Sequence, residues 1–466
     1  MIPVPVIAVF DIGKTNKKFF FIDESYSIVL ERSTQFEEIS DEDGDACDDV
    51  NLLTQWVIDT LTEVLLIKKF DVKAINFSAY GASFVYIDAA GKVVTPLYSY
   101  LKKYPDKLKN DLYDKYGGEE KISCETASPV LGSLNSGLQL YRIKQEKPAL
   151  FTQIKYALHL PQYISYLITR QACSEITSIG SHTQLWDYQK NDYHQWVKGE
   201  GIDNKLPPIS PSNKTVDFFF NNKKLKIGTG LHDSSAALIP YLSVFTEPFI
   251  LLSTGTWCIS INPFNKTPLT KDELQQDCLC YLEYQGKAVK ASRLFAGYEH
   301  EQQVKKLSAY YNKPVDFYKK IKFDAIIIAS LQKKFNFSQV AATKKVSVNQ
   351  SNFSSRDLAV FKSYKVAYHC LLLDIIRQQF HSTELVIHGS DVSRIFVDGG
   401  FSNNSVYMHL LAMAFPEMEV YAASVAQATA MGAALAIHSE WNTFSVPADM
   451  VKLKYYKVVA PLNMIA

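Results

Sequence analysis

Uninterrupted apolar runs break into small-residue turns at two distant places in the chain. Val6 to Phe10 precedes Asp11-Ile12-Gly13-Lys14-Thr15, and Phe249 to Leu252 precedes Ser253-Thr254-Gly255-Thr256-Trp257. Apolar runs of this length bounded by glycine predict central strands covered on both faces. Each turn then sits at a sheet end with its backbone N–H groups free, which suits phosphate. After the first turn, Phe19 to Ile22 and Ile28 to Leu30 flank Asp23-Glu24-Ser25 and predict an antiparallel meander. Leu53, Val57, Leu61, Val64 and Leu65 recur at helical spacing and predict a helix over about 52–68. Ala74 to Phe77 reads as a strand, and Phe84 to Ile87 with Val93 to Val94 predicts a hairpin around Asp88–Lys92. The second half repeats the scheme, with strands near Ile250, Ile259 and Tyr281, a long helix over about 356–380, and a strand over Ile395–Val397. Helix, strand and helix then finish the chain. Two meanders, each followed by βα units, predict an α/β protein of two similar domains with a cleft between their facing turns, divided as 1–240 and 241–466.

Length and composition agree with two globular cores, since the 466 residues are 47% hydrophobic and 21% charged. A net charge of +1 removes nucleic acid as a default partner. Lys223, Lys224 and Lys226 alternate with apolar residues near asparagines and are expected on a solvated loop. Seven cysteines without zinc-ligand spacing read as reduced thiols of a cytoplasmic protein. The first apolar run ends at Asp11, and no later stretch approaches the roughly 18 uncharged residues that a membrane span needs. A soluble, non-exported protein is expected. The acidic stretch Asp41 to Asp49 starts like a calcium loop but has Ala46 and Leu52 where glycine and glutamate are required. It is expected to be a solvated acidic loop.

Three further stretches carry chemistry. Gly228-Thr229-Gly230-Leu231-His232-Asp233-Ser234-Ser235-Ala236-Ala237 places an imidazole beside a carboxylate after a glycine turn and before a helix start. Asp398-Gly399-Gly400-Phe401-Ser402-Asn403 follows a strand and precedes a helix, so its glycines allow close backbone approach and the helix N-terminus favours negative charge. Ala426 to Ala434 reads as a helix whose small face permits either tight helix packing or close approach of an adenosine. Singly, a glycine pair is more often a turn and a His-Asp dipeptide more often incidental. Their order along the chain gives them joint weight.

Taken together, these residues resemble the carbohydrate kinases that include glycerol kinase, xylulokinase, rhamnulokinase and fuculokinase. The resemblance implies two RNase H-like domains of the actin, hexokinase and Hsp70 superfamily. Asp11 to Lys18 looks like the family's first phosphate turn, with Lys14 where threonine is common and with Thr15 and Lys18 matching. Thr254, Gly255 and Thr256 match the second phosphate turn, Gly399, Gly400 and Asn403 the adenosine motif, and 426–434 the closing alanine-rich helix. Asp233 falls on the catalytic base. Tyr80 to Val85 and His232-Asp233-Ser234 look like the sugar-side motifs of rhamnulokinase, which implies sugar contacts at Gly81, His232 and Ser234. Leu160 to Leu167 and Thr177 to Leu185 are similar to that group's lid-side helix and turn. Where many relatives have an aspartate and an arginine after the hairpin, this chain reads Pro96-Leu97-Tyr98-Ser99-Tyr100-Leu101-Lys102. An asparagine matching rhamnulokinase's sugar contact near Arg293 is not evident.

What the resemblance implies is ATP-dependent phosphorylation of a small sugar, with a 6-deoxy ketohexose such as L-rhamnulose or L-fuculose favoured. Asp233 would accept the hydroxyl proton, Gly13 and Thr256 would cradle phosphate, and Mg²⁺ would be held through water near Asp11. A kinase for xylulose or glycerol, an actin-like nucleotide switch and a silent sugar sensor of the same fold stay open alongside it. Small-molecule sugar and ATP are the expected partners, and a homodimer is compatible with the sequence.

Overall fold

The computed structural model describes residues 2–335, 351–460 and 462. They group into two compact units, Met1–Phe245 with Leu279–Ala288 and Ala426–Met450, and Thr246–Cys278 with Val289–Val425 and Val451–Ala466.

In the first unit β1 (Val4–Ile12), β2 (Lys17–Asp23) and β3 (Ile28–Thr34) form the expected meander, with Phe10 opposite Phe19. Helix α1 (Val50–Val64) begins where the Asp49 carboxylate accepts the N–H groups of Asn51 and Leu52. β4 (Phe70–Ala79) lies parallel to β1, placing Asp11 beside Ser78. Helix α2 (Leu160–Thr169) packs on this sheet through Leu160, Tyr163 and Ile164, sharing a core with Phe10, Phe19, Leu53 and Phe77. The hairpin β5 (Thr215–Phe220) and β6 (Lys223–Gly228) completes the order β5-β6-β4-β1-β2-β3. A two-residue strand, β7 (Leu231–His232), pairs with the end of β4 and sets His232 beside Ala79. Helix α3 (Asp233–Val244) starts at the next residue.

In the second unit β8 (Phe249–Thr254) pairs antiparallel with β9 (Cys258–Asn262). The strand expected third, near Tyr281, is β10 (Cys278–Leu282), which from Leu279 onward groups with the first unit, and β9 pairs instead with β11 (Ala288–Leu294). A short helix, Lys271–Gln275, held by a Thr270–Glu273 capping box, precedes β10 in the chain. Helix α4 (Ala296–Tyr310) follows β11. The long helix α5 (Tyr364–Ile387) starts later than residue 356 because the Ser363 hydroxyl caps it, while Asp357 closes a separate tight turn before it. β12 (Arg394–Gly399) runs parallel to β8 with Thr254 beside Gly399. Helix α6 (Ser405–Ala414), β13 (Glu419–Ser424) and helix α7 (Ala428–Ala436) follow, and a strand not foreseen, β14 (Lys452–Tyr456), pairs with β13. Within this unit the sheet order is β11-β9-β8-β12-β13-β14.

Helix α7 belongs to the compact unit of β1 and α3. Its small residues are the cause, since a Cβ on Gly432 would lie 1.8 Å from the Ala236 carbonyl oxygen of α3. Lys223, Lys224 and Lys226 lie on β6 rather than a loop, paired with Asp71, Asp217 and Glu440. The acidic stretch is pinned rather than merely solvated: Lys102 gathers Asp41, Asp43 and Asp45, and Asp48 binds Lys14 and Lys17.

Helix propensity alone would make Gly432→Ala stabilising by about 1 kcal/mol. The carbonyl contact reverses that sign. Urea unfolding is expected to show a net loss of about 1–3 kcal/mol, and a stabilised variant would mean that α3 and α7 are not in this contact.

Candidate active site

The first phosphate-type turn closes on itself, since the Gly13 N–H donates to the Asn16 carbonyl at 2.9 Å. That N–H is therefore engaged, contrary to the expectation that the turn glycine leaves it free. At the end of β1 the half-buried Asp11 accepts the Thr429 hydroxyl at 2.6 Å, and Lys18 donates to Gln427 at 3.1 Å. Both partners come from the head of α7, where Gln427 adopts a left-handed φ of 50°. Burial pushes the Asp11 carboxyl up to about 6, opposed by the Thr429 hydrogen bond, reinforced by the Asp233 charge and opposed again by Lys18. Thr15 is exposed. Lys14 is drawn into an ion-pair cluster, 2.7 Å from both Asp48 and Glu38. The fully buried Lys17 and the Tyr80 hydroxyl hold the same Asp48 carboxylate.

His232, Asp233 and Gly81 meet in the same unit. β7 carries His232 to the end of β4, and the Tyr80-Gly81 turn leaves β4 there. A Cβ on Gly81 would sit 2.6 Å from the His232 ring, so only glycine leaves the imidazole its place. His232 Nε2 lies 3.3 Å from Asp233 Oδ1, and burial pushes the imidazole below its ordinary pKa despite the carboxylate. Asp233 stands at the first position of α3 with a side chain about one-third exposed, reachable by a ligand and favoured by the helix N-terminus. Ser234 is exposed, and its N–H donates to Asp233 at 2.6 Å. The glycines before β7 serve packing: a Cβ on Gly230, whose φ is 79°, would meet the Pro161 carbonyl at 2.7 Å.

The second unit brings its own set together. The buried Thr254 hydroxyl donates to the Asp398 carbonyl at 2.5 Å and accepts the Phe401 N–H at 3.0 Å. Its side chain therefore ties the two turns of that unit, which sequence reasoning did not foresee. Gly399 takes a φ of 88° and its missing Cβ would lie 2.1 Å from the Thr254 carbonyl. Gly255 and Thr256 are exposed, with the Gly255 N–H donating to Trp257 at 2.9 Å and the Thr256 carbonyl accepting from Tyr298 at the head of α4. Gly400 and Asn403 are exposed, whereas Asn404 caps α6.

The sequence reading missed Thr429 and Gln427 as partners of Asp11 and Lys18. The only available signal was two hydrogen-bonding side chains at the start of an otherwise small-residue helix. Asp48 was hidden in the acidic stretch. The half-buried Glu125 and the buried Asp187 and His194 have ligand-like proximity. The His194 Nδ1 accepts the Trp196 N–H, so its Nε2 carries the proton given to Glu125 and is not free to ligate a metal.

Comparison with known proteins follows this geometry. The N-terminal domain of the FGGY family of carbohydrate kinases matches residues 6–239, and the carbohydrate kinase FGGY C-terminal domain matches residues 246–444. A rhamnulokinase of Mannheimia succiniciproducens is 26% identical over 198 residues, covering 40% of this chain and 40% of the relative. The L-fuculokinase of Escherichia coli K12 is 22% identical over 275 residues, covering 54% of this chain and 55% of the relative. The chain thus spans between 40% and 55% of the length of these curated relatives. A solved carbohydrate kinase from Novosphingobium aromaticivorans has a TM-score of 0.79 at 23% identity, covering 98% of this chain and 95% of that chain. The two-domain α/β fold with mixed sheets is that of actin- and hexokinase-like sugar kinases.

The raised Asp11 pKa has a sign that can be checked without nucleotide or metal. Between the ordinary value of 3.8 and about 6, the folded state keeps a proton that the unfolded state releases, so stability falls as pH rises through this window. Asp11→Asn retains the Thr429 hydrogen bond without the charge. It is expected to match the wild type below about pH 4 and to exceed it by up to about 3 kcal/mol above the window, in urea unfolding with EDTA. Identical pH dependence in the two proteins would remove Asp11 as the buried titrating group.

Proposed function

Because the chain belongs to the FGGY family of carbohydrate kinases, we propose that it transfers the γ-phosphoryl group of ATP to a hydroxyl of a small sugar, with Asp233 as the base. The observation that carries this reading is Asp233 itself, reachable at the head of α3, flanked by His232 and close enough to Asp11 for the two charges to interact. Phosphoryl transfer needs chiefly positioning and charge neutralisation, with a base for the alcohol proton. The sugar oxygen forms its bond to the γ-phosphorus as the bond to the β–γ bridging oxygen breaks, and the hydroxyl proton passes to Asp233. Below its ordinary pKa range, His232 is neutral near pH 7 and acts as a hydrogen-bonding partner of the sugar rather than as the base.

Asp11 fits a divalent cation, since burial and the Asp233 charge both destabilise its ionised form and a cation reverses that imbalance. Magnesium, when bound, neutralises phosphate charge. The turns at Gly13–Thr15, Gly255–Thr256 and Gly399–Gly400 with Asn403, and Lys18, are the proposed ATP-binding elements. Lys14, held by Asp48 and Glu38, leaves this role to its neighbours. A 6-deoxy ketohexose is the proposed acceptor, supported by the rhamnulokinase and L-fuculokinase relatives. Another ketose or a polyol, such as xylulose or glycerol, is the alternative. Among the described residues no helix is long and apolar enough to cross a membrane. The cytoplasm is the proposed site of action.

An ADP-release screen with Mg-ATP over L-rhamnulose, L-fuculose, D-xylulose and glycerol tests both activity and acceptor. Asp233→Asn is nearly isosteric and is expected to lower kcat by about two to four decades while sugar binding survives. Near-normal turnover in that variant would take Asp233 out of the chemistry.

A further inference from the structure

The turn that follows the short helix Ile176–Ile179 reaches the same imidazole nitrogen. Ser181 Oγ lies 3.1 Å from His232 Nε2 and 3.0 Å from His182 Nδ1, and the two imidazole rings are 5.9 Å apart. The missing Cβ of Gly81 would be 3.6 Å from this Ser181 hydroxyl and 2.6 Å from the His232 ring. Gly81, Ser181 and His232 thus converge on one point, with Asp233 Oδ1 3.3 Å from His232 Nε2.

The hydrogen bonds give this chain a direction. His232 Nδ1 is buried without a partner, so the proton is assigned to Nε2, where Ser181 and Asp233 can accept it. Ser181 then donates its own proton to His182 Nδ1, which places the remaining proton of a neutral His182 on Nε2. Ser181 is buried, whereas His182 is half-exposed.

The turn is also held in a conformation that ordinary residues avoid. His182 has a φ of 42° and Gln184 one of 59°, both left-handed. Neighbouring groups impose it: the fully buried Asn135 donates to the His182 carbonyl at 2.7 Å, the Gly137 N–H to Thr183 at 3.1 Å, and the Trp196 indole to Gln184 at 2.8 Å. Backbone strain in a non-glycine residue persists where the surroundings over-determine it, and such residues gather at functional sites. A glycine at 182 would relax the strain, yet the chain carries an imidazole linked through Ser181 to His232.

We propose that His182 binds the sugar hydroxyl next to the one that Asp233 deprotonates, and that Ser181 positions His182 and His232 for it. The inference rests on the kinase reading above. It makes a vicinal pair of hydroxyls the recognised feature, one facing Asp233 and the other facing the linked imidazoles. Ser181 is a positioning residue, because it acts through the two rings.

Whichever of L-rhamnulose, L-fuculose, D-xylulose and glycerol gives ADP release with the wild type serves as the probe for His182→Gly, His182→Asn and Ser181→Ala. Glycine relieves the left-handed backbone, so a purely architectural role predicts unchanged kinetics and an equal or higher melting temperature. The proposal predicts that His182→Gly raises the sugar KM by at least about tenfold, the loss of one good hydrogen bond, with the KM for ATP and the melting temperature preserved. Asparagine tolerates the left-handed conformation and keeps hydrogen-bonding capacity, so it should recover part of the loss. Ser181→Ala should raise the sugar KM in the same way. Wild-type sugar KM in both His182→Gly and Ser181→Ala, or a parallel rise in both substrates' KM with a lowered melting temperature, overturns the inference and leaves the kinase reading standing. A wild type that neither releases ADP nor gains thermal stability with any of the four compounds overturns both.

Discussion

The close contact between α7 and α3 is the constraint from which the first unit's site follows. A carbonyl of α3 occupies the space where a side chain at Gly432 would stand, so the two helices meet backbone to backbone. Two further bonds fix α7, one from the Asn76 amide on β4 to the Ala433 carbonyl and one from the Trp441 indole, in the segment after α7, to the Ala434 carbonyl. The head of α7 then delivers Thr429 to Asp11 and Gln427 to Lys18, while the head of α3 presents Asp233. A wider helix face would move both heads away from the end of β1. The alanine-rich composition of residues 426–434 is thus explained by helix packing.

Electrostatics sharpen the same arrangement. Asp11 and Asp233 are close enough for the second charge to raise the pKa of the first, and burial adds to the penalty on the ionised form. In the proposed reaction Asp11 faces the counter-cation and Asp233 the substrate. The basic residues nearby are also sorted. Lys18 faces Asp11 and α7, whereas Lys14 and Lys17 are absorbed by Asp48 in an ion-pair cluster that also takes the Tyr80 hydroxyl. That cluster ties the acidic stretch to the residue preceding Gly81, so an apparently solvated run of aspartates supports the turn on the proposed sugar side.

The second unit solves an analogous problem with a hydroxyl. Thr254 joins the end of β8 to the Gly399 turn by donating to one backbone group and accepting from another. With its proton donated and one lone pair engaged, the threonine organises the turns. Gly255, Thr256, Gly399, Gly400 and Asn403 stay exposed.

Patterning along the chain was enough to establish the first meander, the strands β8, β9 and β12, helix α1 and the residues of the His-Asp pair, because strand and helix periods are local and glycine punctuates them. Local information also sufficed for the family resemblance, whose motifs are short and contiguous. It was insufficient wherever a partner lies far away in sequence. The order of β10 and β11, the placement of α7 in the first unit, the pinning of Asp41 to Asp48 by lysines, the commitment of the Thr254 hydroxyl and the linkage of Ser181 to His232 all depend on contacts that no window of neighbouring residues contains. Tertiary packing decided these because hydrogen bonds and ion pairs select partners by proximity in space, and that proximity exists only once the sheets and helices have closed on their cores.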